Sequence, residues 1–249
     1  MELAGKVAII TGGGTGLGRA VTLGLAMQGV DVAINYAHSE ADAADTAKEA
    51  EALGVRAIIL KADMGNGAEI DAMARHVEER LGRIDILVAN AGTTVFVPMN
   101  DLDGVSEADW DKLMNVNVKG PWLCAKAVAP AMKRAGGGRI VTVSSIAGLQ
   151  PMGSSMPYCV SKAALIHLTR CLATALAPDV LVNTVAPGLL ETRWNAGHSP
   201  ETRKKFHDST LLKRIATVED TADQVLSLIK TGSMTGQTII VDGGTIFSR

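Results

Sequence analysis

Seven short runs rich in β-branched residues, at 7–11, 31–36, 55–62, 85–89, 139–144, 180–185 and 238–242, punctuate this chain, with helical patterns between them. A strand followed by a helix and another strand requires a crossover, so the strands run parallel and helices cover both faces of the sheet. The pattern therefore predicts an α/β fold: one doubly wound, seven-stranded parallel sheet flanked by helices on both faces. In 16–28, Leu17, Val21 and Leu25 recur every fourth residue and mark one apolar helix face. The helical segment 107–135 opens with Ser106 and Asp109 at capping-box spacing, and 218–230 repeats the device with Thr217 and Asp220. Gly136-Gly137-Gly138 fits a helix end and is given no functional role. No linker, repeat or low-complexity tract appears, so residues 1–249 are expected to form one domain. Its least regular stretch, 188–213, is expected to be a substrate lid or binding loop.

Composition removes several function classes. Aromatic residues are 3% of the chain, too few for a platform on which single-stranded bases stack. The net charge of -2 lacks the basic surplus that a phosphate-backbone binder needs, so no nucleic-acid partner is expected. Cys124, Cys159 and Cys171 show no paired spacing, and their odd count argues against a disulfide framework and for a reducing compartment. His38, His76, His167, His198 and His207 form no HxxxH pair, so no metal site is expected. The N-terminal apolar run is too short for a signal peptide, and no run approaches the ~20 apolar residues that cross a bilayer. The expectation is a cytoplasmic protein without a membrane partner.

The first strand runs into Thr11-Gly12-Gly13-Gly14-Thr15-Gly16-Leu17-Gly18, and a helix follows at once. Glycine allows the tight turn, and the missing Cβ lets the backbone approach a pyrophosphate. The helix N-terminus then offers N–H groups to that anion. The spacing is T-G-x-x-x-G-x-G, carried by Gly12, Gly16 and Gly18. In dinucleotide sites an acidic residue about 20 positions further on binds the adenosine ribose. Here the second strand ends Ile34-Asn35-Tyr36-Ala37-His38-Ser39, with Tyr36 at that position and Asp31 at the wrong end. With no carboxylate to repel a 2′-phosphate, NADP(H) is expected in preference to NAD(H). His38 and Ser39 are candidates for that phosphate, His38 fits an ordinary surface loop equally well, and no Arg stands there.

Tyr158-Cys159-Val160-Ser161-Lys162 opens a predicted helix, which places Tyr158 and Lys162 on one face, a turn apart. A phenol with a pKa of ~10 is a reluctant proton donor, and a neighbouring ammonium brings it towards working pH. Ser145 ends the strand 139–144, where the sites of parallel sheets gather, and would bond the same substrate oxygen. A Y-x-x-x-K pair alone is weak evidence. Its weight comes from Ser145 thirteen residues earlier and the glycine turn upstream.

With these residues in order, the sequence resembles the short-chain dehydrogenase/reductase family over essentially its whole length. The resemblance rests on Thr11 to Gly18, Asp63, Asn90-Ala91-Gly92, Asn117, Ser145, Tyr158, Lys162, Pro187-Gly188 and Asp242-Gly243-Gly244. It implies a Rossmann fold and an oxidoreductase that interconverts a ketone and a secondary alcohol by hydride transfer. Tyr158 would be the general acid/base, and Lys162 would bind the nicotinamide ribose and lower the Tyr158 pKa. Ser145 would polarise the carbonyl, and Asn117, rather than Asn115, would hold a water of the proton relay. Thr15, Leu17, Met64, Ala91, Gly92, Pro187 and Gly188 would join the glycines around the cofactor. Asp63 would bind adenine, Asn90 would support the fourth strand and the cofactor, and Leu190 and Thr192 would contact the carboxamide and pyrophosphate. A homotetramer using helices 107–135 and 158–176 is implied as well.

A narrower version is a 3-oxoacyl-[acyl-carrier-protein] reductase. Such members often carry cations near the site entrance, where this chain has Gly136 and Asp179. Ala89 replaces a frequent Asn, and Lys230 to Gln237 is shorter than usual. A reading of another class is a non-catalytic NADP-binding sensor or scaffold, against which the joint presence of Asn117, Ser145, Tyr158 and Lys162 speaks. The small-molecule pocket is expected from 93–97, 146–156 and 189–210. Within it Trp194, Phe206, Met152 and Met156 fit either substrate contact or ordinary packing. Cys159 is expected to be a buried thiol, His167 a core or interface residue, and Arg203-Lys204-Lys205 a solvated helix face.

Overall fold

The computed structural model describes residues 1–193 and 199–247. Trp194 and His198 lie outside the described residues. The strands are β1 (Val7–Ile10), β2 (Asp31–Tyr36), β3 (Ala57–Lys61), β4 (Ile86–Ala89), β5 (Gly138–Val143), β6 (Val180–Pro187) and β7 (Thr238–Val241). They form one sheet in the order β3-β2-β1-β4-β5-β6-β7, every neighbouring pair parallel. The chain winds outward from β1 to β3, then crosses to β4 on the other side of β1. A crevice therefore opens where β1 and β4 end, at the point where the winding reverses.

Helices α1 (Gly16–Ala26), α2 (Glu40–Ala52) and α8 (Val218–Lys230) cover one face; α3 (Gly67–Leu81), α5 (Gly120–Arg134) and α6 (Met156–Leu176) cover the other. Alternate strand residues feed two cores. Ala8, Ile10, Val88 and Val185 pack on the first face, and Val7, Ile9, Leu87 and Val182 on the second. Burial on both faces explains why the strands read as continuous apolar runs.

Both capping boxes are present, Ser106 with Asp109 at α4 (Glu107–Met114) and Thr217 with Asp220 at α8. The segment 107–135 is not one regular helix. Asn115–Lys119 forms a π-helical turn between α4 and α5, a widening that periodicity does not reveal. The stretch 188–213 is more regular than the sequence suggests, because Pro200–Ser209 forms α7. Ser199 caps it and Pro200 occupies its first turn, but none of its residues is buried, so the apolar stripe that would have announced it is missing. Arg203, Lys204 and Lys205 lie on its exposed surface.

One expectation needs correcting. By length and composition the 21-residue α6 is apolar enough to cross a bilayer. Here it packs along β6 and sends Leu172 and Ala173 into the second core, as a central helix does.

At the edge where the strands begin, buried Asp85 accepts from Arg83 Nε at 2.7 Å and from the Val7 N–H at 3.0 Å, with Lys6 Nζ 3.4 Å away. This pairing ties β1 to β4 below, as the residues described next tie them above.

Candidate active site

Thr11 Oγ1 accepts the N–H groups of Asn90 and Ala91, each at 2.9 Å, and Asn90 Nδ2 returns a bond to the Thr11 carbonyl at 2.9 Å. Asn35, buried at the end of β2, accepts the Gly12 N–H at 3.3 Å and donates to the Ala62 carbonyl at 3.0 Å. The glycine turn is thus pinned from both sides. Asn35 was missed in the sequence, although an amide within an apolar strand is the signal that finds it. A Cβ on Gly18 would lie 2.2 Å from the Gly12 carbonyl oxygen, so only glycine lets α1 settle on the turn. Gly18 therefore works behind the cleft wall, while Gly12, Thr15, Gly16 and Leu17 line it.

Thr15 makes no side-chain capping bond to α1, and α1 carries no acidic residue in its first turn. Its leading N–H groups thus lack the capping oxygen that α3, α4, α6, α7 and α8 receive. An uncapped helix start beneath a glycine turn suits an anion. The cleft above it holds about 1750 Å³. Small-molecule pockets run to roughly 300–1,000 Å³, so there is room for a dinucleotide and a second molecule together. Tyr36, His38, Ser39, Asp63 and Met64 line the cleft on the β2 and β3 side. Asn90, Ala91, Gly92, Ser145, Tyr158, Lys162, Pro187, Gly188, Leu190 and Thr192 line the remainder. The residues present fit a dinucleotide.

Ser155 caps α6 by accepting the Tyr158 N–H, which sets Tyr158 in the first turn. Ser145, delivered by the end of β5, lines the cleft beside Tyr158, close enough to lower its pKa. One turn on, Lys162 Nζ lies 5.6 Å from the Tyr158 ring centroid and donates to the Val143 carbonyl at 2.9 Å. Burial pushes the Tyr158 phenol up to about 12, against a smaller lowering from Ser145. Burial pushes the Lys162 ammonium down to about 8. The expected lowering of the phenol by Lys162 is therefore reversed here: desolvation dominates, and the ammonium is directed at a carbonyl oxygen.

Asn117 sits buried in the π-helical turn. Its Oδ1 accepts the Thr93 N–H at 2.8 Å, and its Nδ2 donates to the Thr93 carbonyl at 2.9 Å and to Ser161 Oγ at 3.0 Å. The side chain clamps the loop after β4 to α6 and does not line the cleft, which differs from a water-holding amide. Asn115 does line the cleft and donates to the Gly65 carbonyl at 3.0 Å.

The model of the short chain dehydrogenase family matches residues 6–203. The chain belongs to the short-chain dehydrogenase/reductase family. It is accordingly an NAD(P)-dependent oxidoreductase acting on CH–OH and ketone groups of small molecules. A 3-oxoacyl-[acyl-carrier-protein] reductase of Staphylococcus epidermidis is 35% identical over 242 residues, 96% of this chain and 98% of that protein. A short chain dehydrogenase from Burkholderia cenocepacia, solved in complex with NADP, is 33% identical at a TM-score of 0.90, covering 99% and 100% of the two chains. A 7α-hydroxysteroid dehydrogenase, solved with NADH and a 7-oxo bile acid, is 32% identical at 0.91, covering 98% and 95%.

The loops expected to form the small-molecule pocket border the cleft. Here Thr93, Phe96 and Val97, then Ile146, Met152 and Ser154, then Leu189, Thr202 and Phe206 line it, with Pro98, Met99 and Ile215 as unforeseen additions. Thr94 and Ser154 bond through their hydroxyls, and the Val97 N–H donates to the Ser154 carbonyl at 2.9 Å, so two of these loops are tied together. Cys159 is buried, whereas His167 is exposed on α6. Among the described residues no group of three metal-ligating side chains occurs. Gly136 and Asp179 precede β5 and β6, at the edge opposite the cleft, where Asp179 pairs with Lys133 at 3.5 Å. They do not border this subunit's entrance.

Proposed function

We propose that this chain interconverts a ketone and a secondary alcohol with NADP(H), using Tyr158 as the general acid/base. One observation carries the reading: Tyr158 and Ser145 stand together at the cleft wall, with Lys162 one turn behind. The bound nicotinamide supplies or accepts the hydride. A substrate oxygen placed between Ser145 and Tyr158 takes a hydrogen bond from each. As that oxygen gains negative charge, the neutral phenol hands over its proton, and in the reverse direction the phenolate takes it from the alcohol. Lys162, held on the Val143 carbonyl one turn behind, would bind the nicotinamide ribose. Asn117 holds the Thr93 loop against α6, so that the substrate side keeps its distance from Tyr158.

The NADP(H) preference is supported by the β2 end, where Tyr36, His38 and Ser39 line the cleft, while the nearest carboxylates, Glu40 beside Tyr36 and Asp42 in the first turn of α2, do not line it. Residues 188–213 act in this reading as the lid of a single domain. The half-exposed Trp122 on α5 and Val160 on α6 support the reading of these helices as faces of a homotetramer, and the free thiols suit a cytoplasmic setting. Initial rates on a panel of ketones and alcohols, with NADPH and NADH side by side, test the reading. Turnover with NADPH supports it, and a strong NADH preference overturns the cofactor assignment.

The full-length likeness to a 3-oxoacyl-[acyl-carrier-protein] reductase favours a second, narrower reading, a carrier-linked 3-oxoacyl substrate. Much faster reduction of a carrier-linked acetoacetyl group than of small free ketones supports it.

A further inference from the structure

We propose that Arg193, carried on the substrate loop, recognises the 2′-phosphate of NADP(H). The inference rests on the NADP(H) reading above and adds a residue that neither the glycine turn nor the end of β2 supplies. Arg193 follows Thr192, whose Cγ2 stands 3.2 Å from the position of a Cβ on Gly16. The loop therefore closes down onto the glycine turn. From there the Arg193 side chain reaches α2, where its Nη2 meets Asp42 Oδ2 at 2.9 Å. The pair joins segments 151 residues apart, and Arg193 itself lines the cleft.

The location of Asp42 gives the pair its meaning. It stands in the first turn of α2, three residues beyond Ser39, and residues at that spacing share a helix edge. His38 and Ser39 line the cleft, and Ser39 spends no side-chain bond on capping α2. The guanidinium is thus anchored on the first turn of the helix that Ser39 opens, beside the candidate phosphate residues. An uncancelled Asp42 carboxylate there would repel a phosphate. Arg193 removes that repulsion, and its planar fork of donors leaves N–H groups for a second anion beside the first. Both side chains are well exposed, at 65% and 39%, so the pair adds little to folding stability. Its consequence is placement: a cation waits at the end of the cleft where the sequence shows no Arg.

The test is direct binding. Dissociation constants for NADPH and NADH are measured by calorimetry on the wild-type chain and on R193A, with urea midpoints as the folding control. Loss of a charge-assisted bond to phosphate should weaken NADPH by about tenfold or more. NADH should stay within about twofold, and the urea midpoints should coincide. Equal weakening of both nucleotides would put Arg193 on the pyrophosphate they share and overturn the proposal. Unchanged NADPH affinity would overturn it too. If the wild-type chain itself binds NADH more tightly than NADPH, the cofactor reading fails first, a result visible without the variant.

Discussion

Lys162 lies one turn beyond Tyr158 on α6, its Nζ 5.6 Å from the ring centroid and 2.9 Å from the Val143 carbonyl oxygen. The ammonium is therefore fixed by β5 and α6 together, beside a phenol that borders the cleft with Ser145. Y158F removes the proton donor and leaves the cleft's shape. It should lower turnover by about 10²–10⁴-fold, the usual worth of a general acid, with NADPH affinity nearly unchanged by titration. Full activity in this variant would end the assignment.

The two reaction directions should differ in pH dependence. With its pKa pushed up to about 12 by burial, the phenol is protonated throughout the neutral range. Ketone reduction should then be flat near neutrality. Alcohol oxidation needs the phenolate and should rise with pH, about tenfold per unit when proton removal limits the rate. Initial rates from pH 6 to 10 in both directions check this, and an oxidation rate that falls with pH would contradict it.

Lys162 also sets a pH dependence of stability. Burial lowers its pKa from 10.5 to about 8, so between those values the unfolded chain binds a proton that the native chain has released. The stability contribution of this group therefore rises with pH across that window and is lost as pH falls through about 8. Urea unfolding of the wild-type chain and K162M from pH 7 to 10 should show a stability difference that shifts towards the wild type as pH rises. Parallel curves would mean that Lys162 titrates normally.

Glycine positions in one helix should differ sharply. A Cβ at Gly18 would strike the Gly12 carbonyl oxygen, whereas at Gly24 it would meet the mobile end of Leu226 at 3.1 Å. G18A should cost several times more stability than G24A and weaken NADPH binding as well. G24A should stay within about 1 kcal/mol of wild type, helped by the helix preference of alanine. Thermal melts and titrations of the two variants decide the matter.

Asn35 offers a test at the other side of the glycine turn. N35A leaves the partly buried N–H of Gly12 and the buried carbonyl of Ala62 without these bonds, at a cost of about 1–3 kcal/mol for a buried group left bare. A lowered urea midpoint together with weaker NADPH binding is expected. A stability loss without any change in binding would separate Asn35 from the cleft.

Much of this architecture was legible because its signals are local. The β-branched runs, buried on both faces, fell within a few residues of the strands. Ser106 with Asp109 and Thr217 with Asp220 announced helix starts through contacts spanning three residues. The features that escaped depend on the third dimension. Asn35 matters because β3 lies beside β2, and Arg193 because the loop after β6 folds back to α2. Pro200–Ser209 escaped because nothing buries it, and the π-helical turn because Asn117 is held by Thr93 and Ser161 from other elements. The direction of the Tyr158 pKa was misjudged for the same reason: sequence shows the neighbouring charge and hides the burial.

The sheet has two unequal edges. Every group argued to meet cofactor or substrate stands where strands end, while Asp85, Arg83 and Lys6 close the edge where strands begin. The turns at that second edge are roomy: a Cβ at Gly54, Gly82 or Gly136 would meet nothing within 4 Å, although their positive φ keeps these positions themselves for glycine. Peptide tags, surface-attachment cysteines or spectroscopic labels introduced beside these turns would therefore sit on the far side of the sheet from the chemistry. That side is the natural handle by which to hold the enzyme while its cleft is altered.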